Sequence, residues 1–185
     1  FYTDNYNIIN INEYKNYDKD TLSITIDDGY KDNLDAIEIL NKYNIPFTLY
    51  VTISTLDTQG YLSTEDIKSL SCLDNCEIGS HSYNHVRLNT ISNEKIFFEL
   101  SESKKIIENM IGNKISGISY PHGSYNQYVL DILKTVGYDY AASSIKGKNT
   151  AKTNKYLLKR SEIIKSDSLS TIIKKINGYY DYYSV

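Results

Sequence analysis

Two adjacent carboxylates, Asp27 and Asp28, follow the apolar segment Ile24–Ile26 and precede Gly29, a residue that suits a turn. Side chains of neighbouring strand residues point in opposite directions, but at a strand end that turns both can reach one cavity. One carboxylate could then bind a metal ion while the other acts as a general base. An ordinary surface turn would use the same Asp-Asp-Gly sequence, so this segment alone leaves both interpretations open.

A histidine pair lies in the segment 79–85. Two of the chain's three histidines, His81 and His85, are four residues apart, a spacing that lets both imidazoles face one metal ion. With one carboxylate they would form a His₂Asp set that leaves a coordination position open for water. Two unrelated surface histidines are the alternative, although the pairing is notable in a chain with so few histidines.

The segment 119–126 contains Pro121 and Gly123 between a predicted strand and a predicted helix. A turn of this kind can expose backbone N–H groups that stabilise an oxyanion. An ordinary strand-to-helix turn is the alternative for this segment taken alone.

Apolar runs alternate with amphipathic stretches, which predicts repeated βα units and a parallel sheet, open or closed into a barrel. The predicted strands are 22–26, 47–53, 76–79, 114–120, 138–143 and 157–164. The predicted helices are 33–43, 63–70, 92–110, 127–136 and 168–176. All three motifs fall where a predicted strand ends, and that edge carries the catalytic residues of parallel sheets and barrels.

The composition predicts one globular domain, residues 1–185, with a sizeable core. Lys and Arg number 20 against 23 Asp and Glu, and the net charge of −3 argues against nucleic acid as a partner. No apolar run is long enough for a transmembrane segment. The absence of a Gly-rich phosphate loop disfavours a phosphate-handling metalloenzyme. The 19 tyrosines could offer rings that stack on sugars, and the oligomeric state is left open.

The ordered motifs resemble the polysaccharide deacetylases of carbohydrate esterase family 4, which share the NodB-homology domain. They are Thr25-Ile26-Asp27-Asp28-Gly29, His81-Ser82-x-x-His85 and Tyr120-Pro121-His122-Gly123. The resemblance extends from about residue 21 to residue 164 and implies an α/β fold, a distorted (β/α) barrel of the NodB-homology type. It implies a metal-dependent hydrolase that removes N-acetyl groups from acetamido sugars of a polysaccharide or bacterial envelope glycan, with the cellular location left open. An O-acetyl esterase acting on a glycan and a catalytically weak glycan-binding domain are the alternatives.

The resemblance also assigns roles by position. The metal ligands would be Asp28, His81 and His85. The acetyl pocket would be shaped by Tyr120, Pro121 and Gly123. Asp27 would be the general base toward the attacking water, and the backbone N–H of His122 would hold the oxyanion. This donor set suits zinc as the divalent metal, with cobalt or nickel as alternatives.

Two positions depart from the family's pattern. Ser119 occupies the place where many members have an arginine that orients the base, and Arg160, one of only two arginines, could supply that guanidinium. A surface or structural charge is the alternative for Arg160. Many members also have a late histidine that acts as general acid, whereas no histidine follows His122 here. The leaving amine would then take its proton from His122 or from Asp27, or turnover is slow.

Overall fold

A parallel sheet is the centre of the computed structural model, which describes residues 6–13 and 20–181. Two short strands, β1 (Asn7–Ile8) and β2 (Thr21–Leu22), pair in parallel as a separate ladder. Five parallel strands then lie side by side in chain order: β3 (Ile24–Ile26), β4 (Phe47–Val51), β5 (Cys76–Ser80), β6 (Gly117–Ser119) and β7 (Tyr140–Ala142). The sheet curls into a half-barrel, which confirms the predicted distorted (β/α) barrel.

A helix connects each successive pair of strands from β3 to β7. These helices are α1 (Asn33–Lys42), α2 (Thr64–Leu70), α3 (Asn93–Ile111) and α4 (Gln127–Val136), and α5 (Leu169–Ile176) follows the sheet. The starts of α2 to α5 are fixed by N-cap residues whose side chains accept a hydrogen bond from a backbone N–H of the first turn. These N-cap residues are Ser63, Ser92, Asn126 and Ser168. The predicted helix starts and ends therefore agree with the structure to within one residue.

The predicted strands agree less well. The strand expected over 22–26 breaks at Ser23, so that β2 pairs with β1 while β3 pairs with β4. The strand expected over 157–164 is wrong: Leu158 forms an isolated parallel bridge to Ala142, and the following residues are irregular. Residues 162–165 are exposed and form no bridge to any strand within the described residues.

Two tyrosines fill the inside of the half-barrel. On β4 the odd-numbered side chains pack against the helices, and Tyr50 points the other way into a separate cluster with Tyr140 of β7. Each ring faces a glycine on the neighbouring strand. A Cβ atom on Gly79 would lie 2.6 Å from the Tyr50 ring, and one on Gly117 would overlap the Tyr140 ring. The two glycines therefore leave the space that the aromatic rings occupy below the motifs.

Within residues 6–13 and 20–181, no helix has both the length and the apolar character needed to cross a bilayer. The division of the chain into a single domain over residues 1–185 stays a prediction.

Candidate active site

The three motifs meet at the carboxyl edge of the sheet. Asp27 and Asp28 follow β3, His81 follows β5 directly, and His122 lies in a short turn after β6. Asp28 has a φ of 72°, in the left-handed region, so the chain turns sharply between the two carboxylates. This turn lets the neighbouring side chains serve two adjacent parts of one site.

The metal ligands assigned from the sequence lie together. The Oδ1 atom of Asp28 is 3.2 Å from Nε2 of His81 and 3.0 Å from Nε2 of His85. Tetrahedral zinc with bonds of about 2.0–2.2 Å places neighbouring ligand atoms roughly 3.3–3.6 Å apart. All three candidate ligand atoms lie within 4.8 Å of one another. The donor set therefore fits a small divalent cation.

The orientation of His81 points to the same conclusion. Its Nδ1 atom is 2.8 Å from the carbonyl oxygen of Ser119, which can only accept a hydrogen bond, so Nδ1 carries a proton. In the neutral ring, Nε2 then directs a lone pair at the carboxylate of Asp28. Two acceptors this close repel each other, so either a cation between them or a second proton on the ring is needed to stabilise the contact.

The electrostatics around Asp28 and His85 favour the forms in which these two side chains bind metals. The pKa of Asp28 lies below its usual value, and the largest cause is a hydrogen bond from Nε2 of His81, which requires the second proton on that ring. The Asp28 carboxylate is therefore ionised. Burial lowers the pKa of His85, and the neighbouring His81 adds to the effect. A neutral imidazole and an ionised carboxylate are the forms in which these side chains bind metals.

Asp27 and Arg160 form a bidentate ion pair. The Nη1 and Nη2 atoms of Arg160 lie 2.7 Å and 2.9 Å from the two carboxylate oxygens of Asp27. Ser119 Oγ donates to Asp27 at 2.9 Å and accepts from Arg160 at 2.8 Å. Burial alone would raise the pKa of Asp27, but the charge and hydrogen bonds of Arg160 outweigh it and hold the pKa below its usual value. The late arginine thus reaches the carboxylate beside Ser119.

The turn after β6 presents His122 to the site. The exposed ring of His122 lies with its centroid 4.6 Å from that of His85. The backbone of His122 has a φ of 57°, and within the described part of the chain no acceptor receives its N–H. Gly123 follows at a φ of 63°, where a Cβ atom would lie 2.7 Å from the side chain of Ser144. A glycine is therefore required for this turn.

The remaining pocket residues assigned from the sequence lie behind the turn. The side chain of Tyr120 is 1% exposed, and its hydroxyl donates to the carbonyl oxygen of Tyr156 at 2.8 Å. Pro121 is also buried. These two residues can fix the shape of the turn from its inner side.

Two features near the site were not anticipated from the sequence. The ring of Tyr30, two residues after Asp28, is 44% exposed and stacks on Tyr61 with centroids 4.9 Å apart. The carboxylate of Glu99 is buried beneath the loop that carries both histidines. A glutamate that interrupts the apolar face of a helix is the signal that could have identified Glu99.

Comparison with known proteins gives the family. Residues 14–141 match the family described as polysaccharide deacetylase. The Bacillus subtilis (strain 168) protein named "Putative polysaccharide deacetylase YxkH" is 31% identical over 138 residues, covering 74% of this chain and 49% of that protein. A poly-beta-1,6-N-acetyl-D-glucosamine N-deacetylase of Staphylococcus aureus (strain MSSA476) is 24% identical over 159 residues, covering 79% and 54%. The chain spans about half the length of these curated relatives.

A solved structure supports the same fold. The Streptococcus pyogenes deacetylase PplD, determined in complex with acetate, matches with a TM-score of 0.85 over 94% of this chain and 81% of that one. Its sequence is 22% identical, so the likeness is one of fold. Since the family match covers most of the chain, including the strand-end motifs, this chain belongs to the polysaccharide deacetylase family.

Proposed function

We propose that this chain is a metal-dependent hydrolase that removes N-acetyl groups from acetamido sugars of a polysaccharide or bacterial envelope glycan. The observation that carries the proposal is the convergence of Asp28, His81 and His85 beside a carboxylate, Asp27, that Arg160 holds ionised. Family membership supplies the substrate class. The name of the Staphylococcus aureus relative supports an N-linked acetyl group as the target.

Each group would have a distinct task. A divalent cation bound by Asp28, His81 and His85 would supply Lewis acidity toward the acetyl carbonyl and toward water. Zinc is the expected metal, with cobalt or nickel as alternatives. Asp27 would accept the proton of the attacking water, and its lowered pKa keeps it available as a base. The unpaired N–H of His122 would donate a hydrogen bond to the oxyanion.

The leaving amine needs a proton, and the His122 side chain is our candidate donor. The ring is exposed and lies next to His85, at the mouth of the site. Residues 123–185 contain no further histidine. Asp27 is the alternative donor after it has accepted the proton of water.

Two sets of side chains would receive the sugar. Tyr30 presents a ring that Tyr61 supports by stacking, and such a ring can pack against the C–H groups of a pyranose. The acetyl methyl would enter a pocket whose shape depends on the buried turn of Tyr120, Pro121 and Gly123.

An O-acetyl esterase is the second candidate function. The same metal and water chemistry would cleave an ester, and an ester expels its alcohol with less need of a general acid than an amide expels its amine. A catalytically weak glycan-binding domain is the remaining alternative.

Acetate release from a panel of N-acetylated and O-acetylated oligosaccharides tests the proposal. We expect release from the N-acetylated members, loss of release with a chelator, and recovery when zinc is restored. Release from the O-acetylated members alone would establish the esterase. Binding of the oligosaccharides without any release would establish the glycan-binding domain.

The metal assignment predicts a clear difference between two histidine variants. His81→Ala should lose zinc uptake, because it removes a buried ligand. His122→Ala should keep uptake, because its ring is outside the three-ligand set. Elemental analysis and calorimetric titration of folded, metal-stripped protein measure both. Wild-type zinc content in His81→Ala would overturn the assignment.

The two adjacent aspartates should respond differently to the same change. Asp27→Asn should keep the metal and lose roughly 10²–10⁴-fold in turnover, because an amide cannot accept the proton of water. Asp28→Asn should lose metal affinity first. Metal titration alongside acetate release separates the two effects, and the reverse pattern would exchange the two roles.

Removing Arg160 should shift the pH dependence of turnover. In Arg160→Ala, burial would act on Asp27 without a compensating cation, so the pKa of Asp27 should rise. The base would then stay protonated up to a higher pH, and the acidic limb of the pH–rate profile should shift to higher pH. Arg160→Lys should restore the profile only in part, because an ammonium group cannot present the planar fork.

The other arginine, Arg87, is a suitable control for that experiment, since it is exposed and forms no ion pair within the described residues. Arg87→Ala should leave the acidic limb in place. A folded, metal-loaded Arg160→Ala protein with an unchanged pH–rate profile would contradict the role of Arg160 as a positioning residue for the base.

Loss of the His122 side chain should reduce turnover most for substrates whose leaving group needs a proton. His122→Asn keeps a residue that tolerates the left-handed backbone, and with it the N–H of the turn. We expect it to slow hydrolysis of an acetamido sugar by at least about 10²-fold and to slow hydrolysis of an activated aryl acetate much less. Equal losses on both substrates would argue that the side chain is not the acid. Asp27→Asn, which removes the base, should slow both.

A further inference from the structure

The histidine loop, residues 81–85, carries the two candidate histidine ligands and has unfavourable backbone φ angles. Ser82 and His85 have φ angles of 65° and 55°, in the left-handed region that residues other than glycine rarely adopt. Such a conformation persists only where the surrounding structure fixes it. The separation between His81 and His85 depends on these same residues, so whatever fixes the loop also fixes the ligand geometry.

A buried glutamate lies directly under the loop. Glu99, on α3, is 4% exposed, and its Oε2 atom accepts the backbone N–H groups of Tyr83 at 2.9 Å and Asn84 at 2.8 Å. Its Oε1 atom accepts the side-chain amide of Asn84 at 2.8 Å. Within the described ranges, no lysine, arginine or histidine forms an ion pair with this carboxylate. The amide groups of the loop therefore provide the hydrogen bonds that offset the loss of water around the buried Glu99 carboxylate.

A second contact from the same helix supports the strand end where the loop begins. Ser103, one turn after Glu99, is buried and accepts a hydrogen bond from Ser80 Oγ at 2.9 Å. Ser80 Oγ in turn accepts the backbone N–H of Ser82 at 3.1 Å. The face of α3 that carries Ile96 and Leu100 thus includes two polar residues whose hydrogen bonds lead to the histidine loop.

We propose that Glu99 is a positioning residue of the metal centre: its buried carboxylate holds the amides of Tyr83 and Asn84 and thereby sets the spacing of His81 and His85. This inference rests on the metal centre of the proposed function. Groups that orient metal ligands from outside the coordination shell typically change metal affinity by about 10–100-fold when they are removed.

Three variants test the inference. Glu99→Ala removes the acceptors, Glu99→Gln keeps the shape of the side chain with one oxygen acceptor, and Glu102→Ala is the control on the same helix. Glu102 is part-exposed and pairs only weakly with Lys105, at 3.7 Å. Zinc affinity is measured by calorimetry well below each variant's unfolding temperature. Hydrogen exchange of the Tyr83 and Asn84 amides is measured in the metal-free protein.

We expect Glu99→Ala to bind zinc about 10–100-fold more weakly and to exchange both amides faster. Glu99→Gln should lie between Glu99→Ala and the wild type, and Glu102→Ala should match the wild type. If Glu99→Ala does not fold, Glu99→Gln decides: wild-type affinity with wild-type exchange overturns the inference. A wild-type protein that binds no zinc overturns the proposed metal centre itself, whereas unchanged affinity in folded Glu99 variants overturns only the role of Glu99.

Discussion

The ion pair between Arg160 and Asp27 joins the two open edges of the half-barrel. Backbone pairing ends at β3 on one side and, beyond β7, at the Leu158 bridge on the other. The Arg160 guanidinium reaches from the second edge to the first, where it also donates to Thr25. It donates to the carbonyl oxygen of Ser143 as well. Removing one partner of such a pair leaves an uncompensated buried charge, so the link between the two edges at the carboxyl end of the sheet depends on both residues.

The same contact links architecture to chemistry. A carboxylate inside a barrel would ordinarily be protonated more readily, because burial disfavours the charged form. The guanidinium reverses this for Asp27 and keeps the pKa of that group low. Below it the Tyr50 ring lies 5.9 Å from the guanidinium carbon, and the Tyr140 hydroxyl donates to Glu77 at 3.0 Å. A packed aromatic layer thus supports the polar mouth, and Gly79 and Gly117 make room for it.

Sequence patterns succeeded where the deciding interactions are local. Helix starts were predictable because an N-cap side chain bonds its own first turn, as Ser63 does with Asp66. The strand expected over 157–164 failed because a strand needs a partner strand, and in this segment only Leu158 forms a strand bridge. The resemblance anticipated the barrel and pointed to Asp28, His81, His85 and Arg160, and the structure brings the first three together and places Arg160 against Asp27. The resemblance gave no indication of Glu99, whose carboxylate accepts hydrogen bonds from two backbone amides 15 and 16 residues away.

Residue types and their spacing define which chemical groups are available and in what order: paired carboxylates, two imidazoles four residues apart, and a Pro-x-Gly turn, each at the end of a strand in a βα series. These are local properties of residue type and spacing. Which of these groups meet depends on the folded chain, because Arg160 and Asp27 are 133 residues apart in the sequence. Their contact depends on how far the sheet curls. The directions of the Asp28, His85 and His122 side chains depend on left-handed backbone angles that residue type alone does not fix.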